Sequence, residues 1–172
     1  MMALRGVALL LALLMLSGCA REEAGVRFFP EGQPQSLGEW QLLKVEGSRL
    51  ALNEGVVPYD LNAPLFSDYA HKLRTIWMPK GNSARYDARN SFDFPVGTII
   101  SKTFYYPLPA GGKWDGKSVA RSSDPGVSQG GSLDLSRVRL IETRLLVRRA
   151  SGWDAIPYVW NDAQTEAVLK RA

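Results

Sequence analysis

The chain has 172 residues, of which 45% are hydrophobic, and this length and composition suit one globular domain with a sizeable core. Its net charge is +4, but the basic residues are scattered and form no stripe interleaved with aromatic residues, which argues against nucleic-acid binding. The chain has one cysteine, Cys19, and one histidine, His71, which exclude an internal disulfide, a zinc site of the Cys/His type and a C-x-x-C-H haem-attachment motif.

The first 18 residues predict a lipoprotein signal peptide. Arg5 supplies a positive n-region, and Gly6 to Leu16 form an apolar run that is short for a membrane span. The run ends in Leu-Ser-Gly-Cys, which resembles a bacterial lipobox, so we expect Cys19 to carry lipid and to begin the mature protein. A plain signal peptide and a membrane anchor are the alternatives. Ala20 resembles the residue of lipoproteins sent to the outer membrane, which predicts its periplasmic face as the location.

Residues 19–35 are mostly polar, contain glycine and proline, and are predicted as a flexible tether. A β-rich module is expected over residues 36–172. Its first residues, Ser36-Leu37-Gly38-Glu39, match a capping box and predict a short helix.

The segment from Val56 to Met78 combines irregular backbone with large apolar side chains. Pro58 and Pro64 keep its first half extended and irregular. An apolar segment without regular structure needs a surface to cover it, so we expect this one to be packed. The side chains concerned are Val57, Tyr59, Leu61, Leu65, Phe66 and Tyr69.

Two later segments, Leu73 to Met78 and Thr98 to Tyr106, alternate as strands. Lys102 shares a face with apolar residues of the second strand, and we expect it to pair with a carboxylate, for which Glu142 is the candidate. Residues 107–136 are rich in glycine and serine, show no periodicity and are predicted as a flexible insertion.

The segment from Arg139 to Trp160 predicts a β-hairpin at the core of the fold. Ile141, Thr143, Leu145 and Val147 share one face of its first strand by the period of two, and Gly152 completes the turn. The second strand is apolar on both sides, which predicts burial on both faces. Pro157 within that strand indicates an edge or a bulge, because proline has no N–H to donate to a neighbouring strand.

Asn161 and Gln164 after the hairpin match a second capping box, which predicts a C-terminal helix. We therefore expect a mainly β fold, an antiparallel sheet or sandwich-like domain with short helices at its N- and C-terminal ends.

Three blocks of this sequence carry a family resemblance. They read PYDLNAPLFSDYAHKLRTIWMPKG, FDFPVGTIISKTFYYP and LIETRLLVRRASGWDAIPYVWNDAQTEA, in this order. Together they resemble the N-terminal module of a family of exported bacterial diheme c-type cytochromes, and the resemblance covers most of residues 36–172. It implies a structural or docking role in electron transfer, with a cytochrome domain or another redox protein as partner. The haem motifs of that family lie C-terminal to the Gln-Thr-Glu-Ala segment, so haem c is expected only in a C-terminal continuation and no haem-binding residue is carried over.

Two other functions stay open. A stand-alone lipoprotein could bind a ligand such as a carbohydrate through stacked aromatic rings, although aromatic residues that alternate within strands more often belong to a core. The aromatic residues in question are Trp77, Tyr105, Trp153, Tyr158 and Trp160. A hydrolase could use paired carboxylates, with Asp60 and Asp68 or Glu142 and Glu166 as candidates. We expect a protein without catalytic residues.

Candidate ligands in this chain are few. His71 and Met78 could be the axial ligands of a non-covalent haem, although a structural role for His71 is the alternative. Asp60, Asn62 and Asp68 could bind calcium through oxygen atoms. Their spacing does not match a calcium-binding loop, and hydrogen bonding to the irregular backbone around them is the alternative. We expect neither a metal nor a cofactor in this chain.

Overall fold

The computed structural model describes residues 25–109, 111, 113–123 and 130–170. The predicted signal peptide, Cys19 and the first part of the predicted tether lie outside the described residues. Within the described ranges the chain forms two antiparallel sheets that share one hydrophobic core, so the mainly β, sandwich-like prediction is confirmed. The strands are β1 (Leu43–Glu46), β2 (Arg49–Leu52), β3 (Val57–Tyr59), β4 (His71–Trp77), β5 (Ile99–Pro107), β6 (Leu133–Asp134), β7 (Val138–Arg149), β8 (Gly152–Trp160) and β9 (Ala167–Leu169).

The large sheet has the strand order β3-β4-β5-β7-β8-β9, and the small sheet has the order β1-β2-β6. One face of the large sheet packs into the core and the other, which we call the outer face, points away from it. Fully buried side chains come from both sheets and from the segment before β1, among them Trp40, Leu50, Leu133, Tyr105 and Leu145. Leu133 and β6 belong to the predicted insertion, whose end therefore completes the small sheet instead of forming a flexible loop.

The β7–β8 hairpin forms as predicted, with Leu145 opposite Ile156 and Gly152 at a positive φ of 130° in its turn. The assignment of faces in β7 is wrong before Thr143. A bulge leaves Ile141 without a register partner on β5, so Leu140 and Thr143 both point into the core. The prediction that β8 is buried on both faces is also wrong, because Trp153 and Val159 on its outer side are 45% and 37% exposed.

The predicted N-terminal helix is a single 3-10 turn, Leu37–Trp40, and both reciprocal bonds of its capping box are present. The predicted C-terminal helix does not form. Gln164 adopts a positive φ of 58°, and its side-chain amide bonds the backbone N–H and C=O of Leu140, next to the bulge. The chain then continues as β9, which pairs with β8. A tertiary contact therefore overrides the local capping signal.

Candidate functional site

Three cations lie side by side across the outer face of the large sheet. Arg74 of β4 is opposite Lys102 of β5, and Lys102 is opposite Arg144 of β7. We call these three side chains the cation row. Opposite side chains on neighbouring strands lie about 5 Å apart at Cβ, and like charges in such pairs destabilise a sheet. The outer face therefore carries an electrostatic cost at its centre, which packing elsewhere must offset.

Two carboxylates partly neutralise this row. Nη1 of Arg74, whose side chain is 7% exposed, donates to Oδ1 of Asp60 at 3.1 Å. Arg144 forms an ion pair with Glu142 on its own strand. The predicted pairing of Lys102 with Glu142 is therefore wrong, since Glu142 has Arg144 as its partner.

Three cations surround the ring of Phe104. The ring centroid lies 5.9 Å from Nζ of Lys72, 5.2 Å from Nζ of Lys102 and 4.9 Å from Cζ of Arg144. Each cation is attracted by the electron-rich face of an aromatic ring. Burial lowers the pKa of Lys72, and the charges of Arg74 and Lys102 lower it further. The charges of Arg74 and Lys102 thus add to the effect of burial in disfavouring the positive charge of Lys72.

A hollow of about 270 Å³ opens beside the cation row. Its floor continues one step along the strands, where Ile100, Leu146 and Ala155 stand in register across β5, β7 and β8. Tyr59 and Leu61 line it near the β3 edge of the sheet. The hollow thus joins a strongly basic row to an apolar floor.

Residues 57–69, which we call the apolar segment, adjoin this face. The expectation that the segment is packed is wrong: Leu65 is 83% exposed, Phe66 71%, Leu61 46% and Tyr69 41%. Phe66 and Tyr69 pack edge to face, with ring centroids 5.1 Å apart. A hollow of about 400 Å³ lies between the apolar segment and the start of β4. Phe66 and Tyr69 are therefore in contact with each other, and Leu65 borders the same hollow, yet all three side chains are open to solvent.

The backbone of the apolar segment is strained at one point. Asp68 and Tyr69 adopt consecutive positive φ angles of 44° and 64°, a region that residues other than glycine seldom occupy. A hydrogen bond of 2.8 Å from Ala70 N–H to the Ser67 carbonyl closes this turn. Such conformations cost about 1–3 kcal/mol each and concentrate at functional positions.

His71 and Met78 do not fit as the two axial ligands of one haem. His71 begins β4 and Met78 follows its last residue, so a fully extended strand separates them by about 23 Å. The ring of His71 stacks on Tyr105 with centroids 5.7 Å apart, and its buried Nε2 has no hydrogen-bond partner among the described residues. His71 thus contributes to packing between β4 and β5.

Two of the three candidate metal ligands, Asp60, Asn62 and Asp68, have defined roles within the chain. Asp60 bonds the Leu61 N–H and pairs with Arg74, and Asp68 lies in the strained turn. Within the ranges described above, no group of three or more His, Cys, Asp and Glu side chains is placed to hold a metal ion.

The candidate carboxylate pairs and aromatic residues have other surroundings. Glu142 is held by Arg144, and Glu166 lies in the turn where its N–H donates to Asn161. Three of the five candidate aromatic residues belong to the core, which confirms the structural interpretation for them. These are Tyr105, Tyr158 and Trp160.

Comparisons of this chain with protein-family models, with curated proteins and with solved structures find no match. In the part of the chain that the structure describes, no helix has the length and apolar character needed to cross a membrane. The cation row, Phe104 and Lys72 were not identified as a group from the sequence. The sequence shows that these residues alternate with others within each strand. It does not show the register between strands that brings them side by side.

Proposed function

We propose that this chain is a non-catalytic docking module of an exported electron-transfer cytochrome, tethered to a membrane through Cys19. The apolar segment is the observation that carries the proposal. Its exposed Leu65, Phe66 and Tyr69 border one hollow, and Leu61 of the same segment is also exposed. Exposed apolar side chains grouped in this way are typical of protein–protein contacts.

The apolar segment is built to present these side chains. It begins in β3 and ends where β4 starts, so both of its ends are fixed in the large sheet. The strained turn at Asp68 and Tyr69 places the ring of Tyr69 against Phe66 and beside Arg121, whose Cζ lies 4.3 Å from the Tyr69 centroid. Contact with a partner would give these side chains the apolar surroundings that the described residues do not supply.

The resemblance to diheme c-type cytochromes suggests the haem-bearing domain as the partner. Lys72 and Arg74 border the apolar segment, so a partner with acidic residues around an apolar patch would complement it. A lipid anchor at Cys19 would hold such a complex at the periplasmic face of the outer membrane. The module itself positions the haem-bearing domain and contributes no step of electron transfer.

The DNA that follows codon 172 tests the proposal. A C-x-x-C-H motif there, in frame or one frameshift away, supports a cytochrome that includes this module. Absence of such a motif contradicts the proposal in this form and favours a ligand-binding lipoprotein.

Hydrogen exchange provides the structural test once that haem domain is expressed. The backbone amides of residues 61–70 should exchange more slowly in the complex than in the chain alone, because docking excludes water from them. Residues 80–93 form the matched control, since they include another loop with exposed aromatic residues, Tyr86 and Phe92. Protection confined to residues 80–93 would contradict docking through the apolar segment.

A further inference from the structure

The outer face of the large sheet joins two kinds of chemistry within one hollow. The cation row of Arg74, Lys102 and Arg144 lies along one side, and the side chains of Ile100 and Leu146 form the adjacent floor. We propose that this hollow binds a small carboxylate that carries an apolar chain, with the carboxylate at the cation row and the chain on the floor. The site requires neither the haem domain nor the lipid anchor.

The charges of the cation row and of Lys72 favour binding of an anion. Lys72, Lys102 and Arg144 surround the ring of Phe104, and Arg74 is opposite Lys102 on the neighbouring strand. Two of these four cations have a carboxylate partner: Arg74 pairs with Asp60, and Arg144 pairs with Glu142. No carboxylate of the described residues forms an ion pair with Lys102. Lys72 donates to the backbone carbonyl of Leu65 at 2.7 Å, a bond that leaves its charge uncompensated. One bound carboxylate would relieve the repulsion within the row and accept charge-assisted hydrogen bonds.

The apolar floor of the hollow favours a ligand that also carries an apolar group. Leu146 is 44% exposed, and Ile100 and Ala155 stand beside it on the neighbouring strands. Two residues along a strand correspond to about 6.6 Å, so a short chain attached to a carboxylate at Lys102 reaches these side chains.

The size and shape of the hollow select one occupant. Its volume of about 270 Å³ is just below the range of about 300–1,000 Å³ that is typical of small-molecule sites. Free phosphate would leave the apolar floor in water, whereas an acidic peptide would extend beyond a hollow of this size. A single carboxylate with a short apolar chain contacts both the cation row and the apolar floor.

Titration calorimetry with octanoate tests the charged half of the site. The full chain is held in lipid nanodiscs, and empty nanodiscs provide the blank for partitioning of the probe. The affinity for octanoate should fall by about tenfold or more in Lys102→Gln, because the variant loses a hydrogen bond to a charged group. Lys80→Gln removes one exposed lysine from a turn away from the sheet and should bind as the unaltered chain does.

The length of the probe tests the apolar half. Butanoate should bind at least about tenfold more weakly than octanoate, since four buried methylene groups are lost, and Leu146→Ser should reduce this difference. Thermal melting of each variant shows that it is folded. The proposal is overturned if octanoate does not bind, if Lys102→Gln and Lys80→Gln bind it equally, or if inorganic phosphate or an acidic peptide binds more tightly.

Discussion

The replacement Tyr158→Phe removes one hydroxyl group that connects the segment before β1 to the large sheet. Tyr158 is fully buried, its hydroxyl oxygen accepts a hydrogen bond of 2.7 Å from Nε1 of Trp40, and the hydroxyl donates one of 2.9 Å to the Pro34 carbonyl. Phenylalanine keeps the ring and its packing, so the replacement opens no cavity. It leaves the Trp40 N–H buried without an acceptor.

The expected loss in the free energy of unfolding is about 1–3 kcal/mol, the cost of one buried polar group without a partner. Most of it comes from Trp40, which is fully buried, whereas Pro34 is only half-buried and water can replace the lost donor. Denaturant unfolding of the purified protein measures the loss. Tyr106→Phe is the matched control, because Tyr106 lies half-buried on the outer face against Trp114 and should change stability by less than about 0.5 kcal/mol.

The difference in the free energy of unfolding between the unaltered protein and Tyr158→Phe should depend on pH. Burial raises the pKa of Tyr158 above its ordinary value of 10.0, while the hydrogen bond from Trp40 lowers it in part. The unfolded chain therefore releases this proton at lower pH than the folded chain, and the stability contributed by the neutral phenol is lost as pH rises above 10. The difference between unaltered protein and Tyr158→Phe should narrow there. Equal stability of the two proteins at pH 7, or a difference that widens above pH 10, would refute this reasoning.

Three further replacements have expected outcomes. Trp160→Ala should lower the free energy of unfolding by about 3–5 kcal/mol, because Trp160 is buried and its Nε1 donates to Thr143 at 3.0 Å. An unchanged free energy in denaturant unfolding would contradict the place of Trp160 in the core. Asn161→Ala should cost about 1 kcal/mol in the same measurement, because its Oδ1 accepts from the backbone N–H of Thr165 in the turn, and no loss would argue against that bond. Cys19→Ser should release the protein from membranes and abolish acyl labelling, and unchanged membrane retention would contradict the lipoprotein hypothesis.

The β7–β8 hairpin was predictable because its signals are local. Alternation of apolar residues and a glycine turn lie within one short stretch of sequence, as in Leu145, Ile156 and Gly152. The bulge at Ile141 was not predictable, since it depends on pairing with β5. The turn at Asn161 shows the opposite case, in which a local capping signal was present and a contact between Gln164 and Leu140 redirected the chain.

The candidate site was less predictable than the fold. Arg74, Lys102 and Arg144 lie on three strands that are distant along the chain, and the cation row exists only through their register. The apolar segment was recognised from its composition, but its exposure was not. Apolar residues of an irregular segment usually pack against other residues of the same chain, whereas Leu65 and Phe66 remain open to solvent.

Docking through the apolar segment is the central claim, and the affinity between this chain and a haem domain of the kind proposed as its partner tests it most directly. Phe66→Ser should weaken that affinity by about tenfold or more while it leaves the free energy of unfolding within about 0.5 kcal/mol, because the side chain is 71% exposed in the chain alone. Tyr86→Ser alters an equally exposed ring, 73% exposed, in another loop and should bind as the unaltered chain does. Equal affinities for the unaltered chain, Phe66→Ser and Tyr86→Ser would contradict the claim.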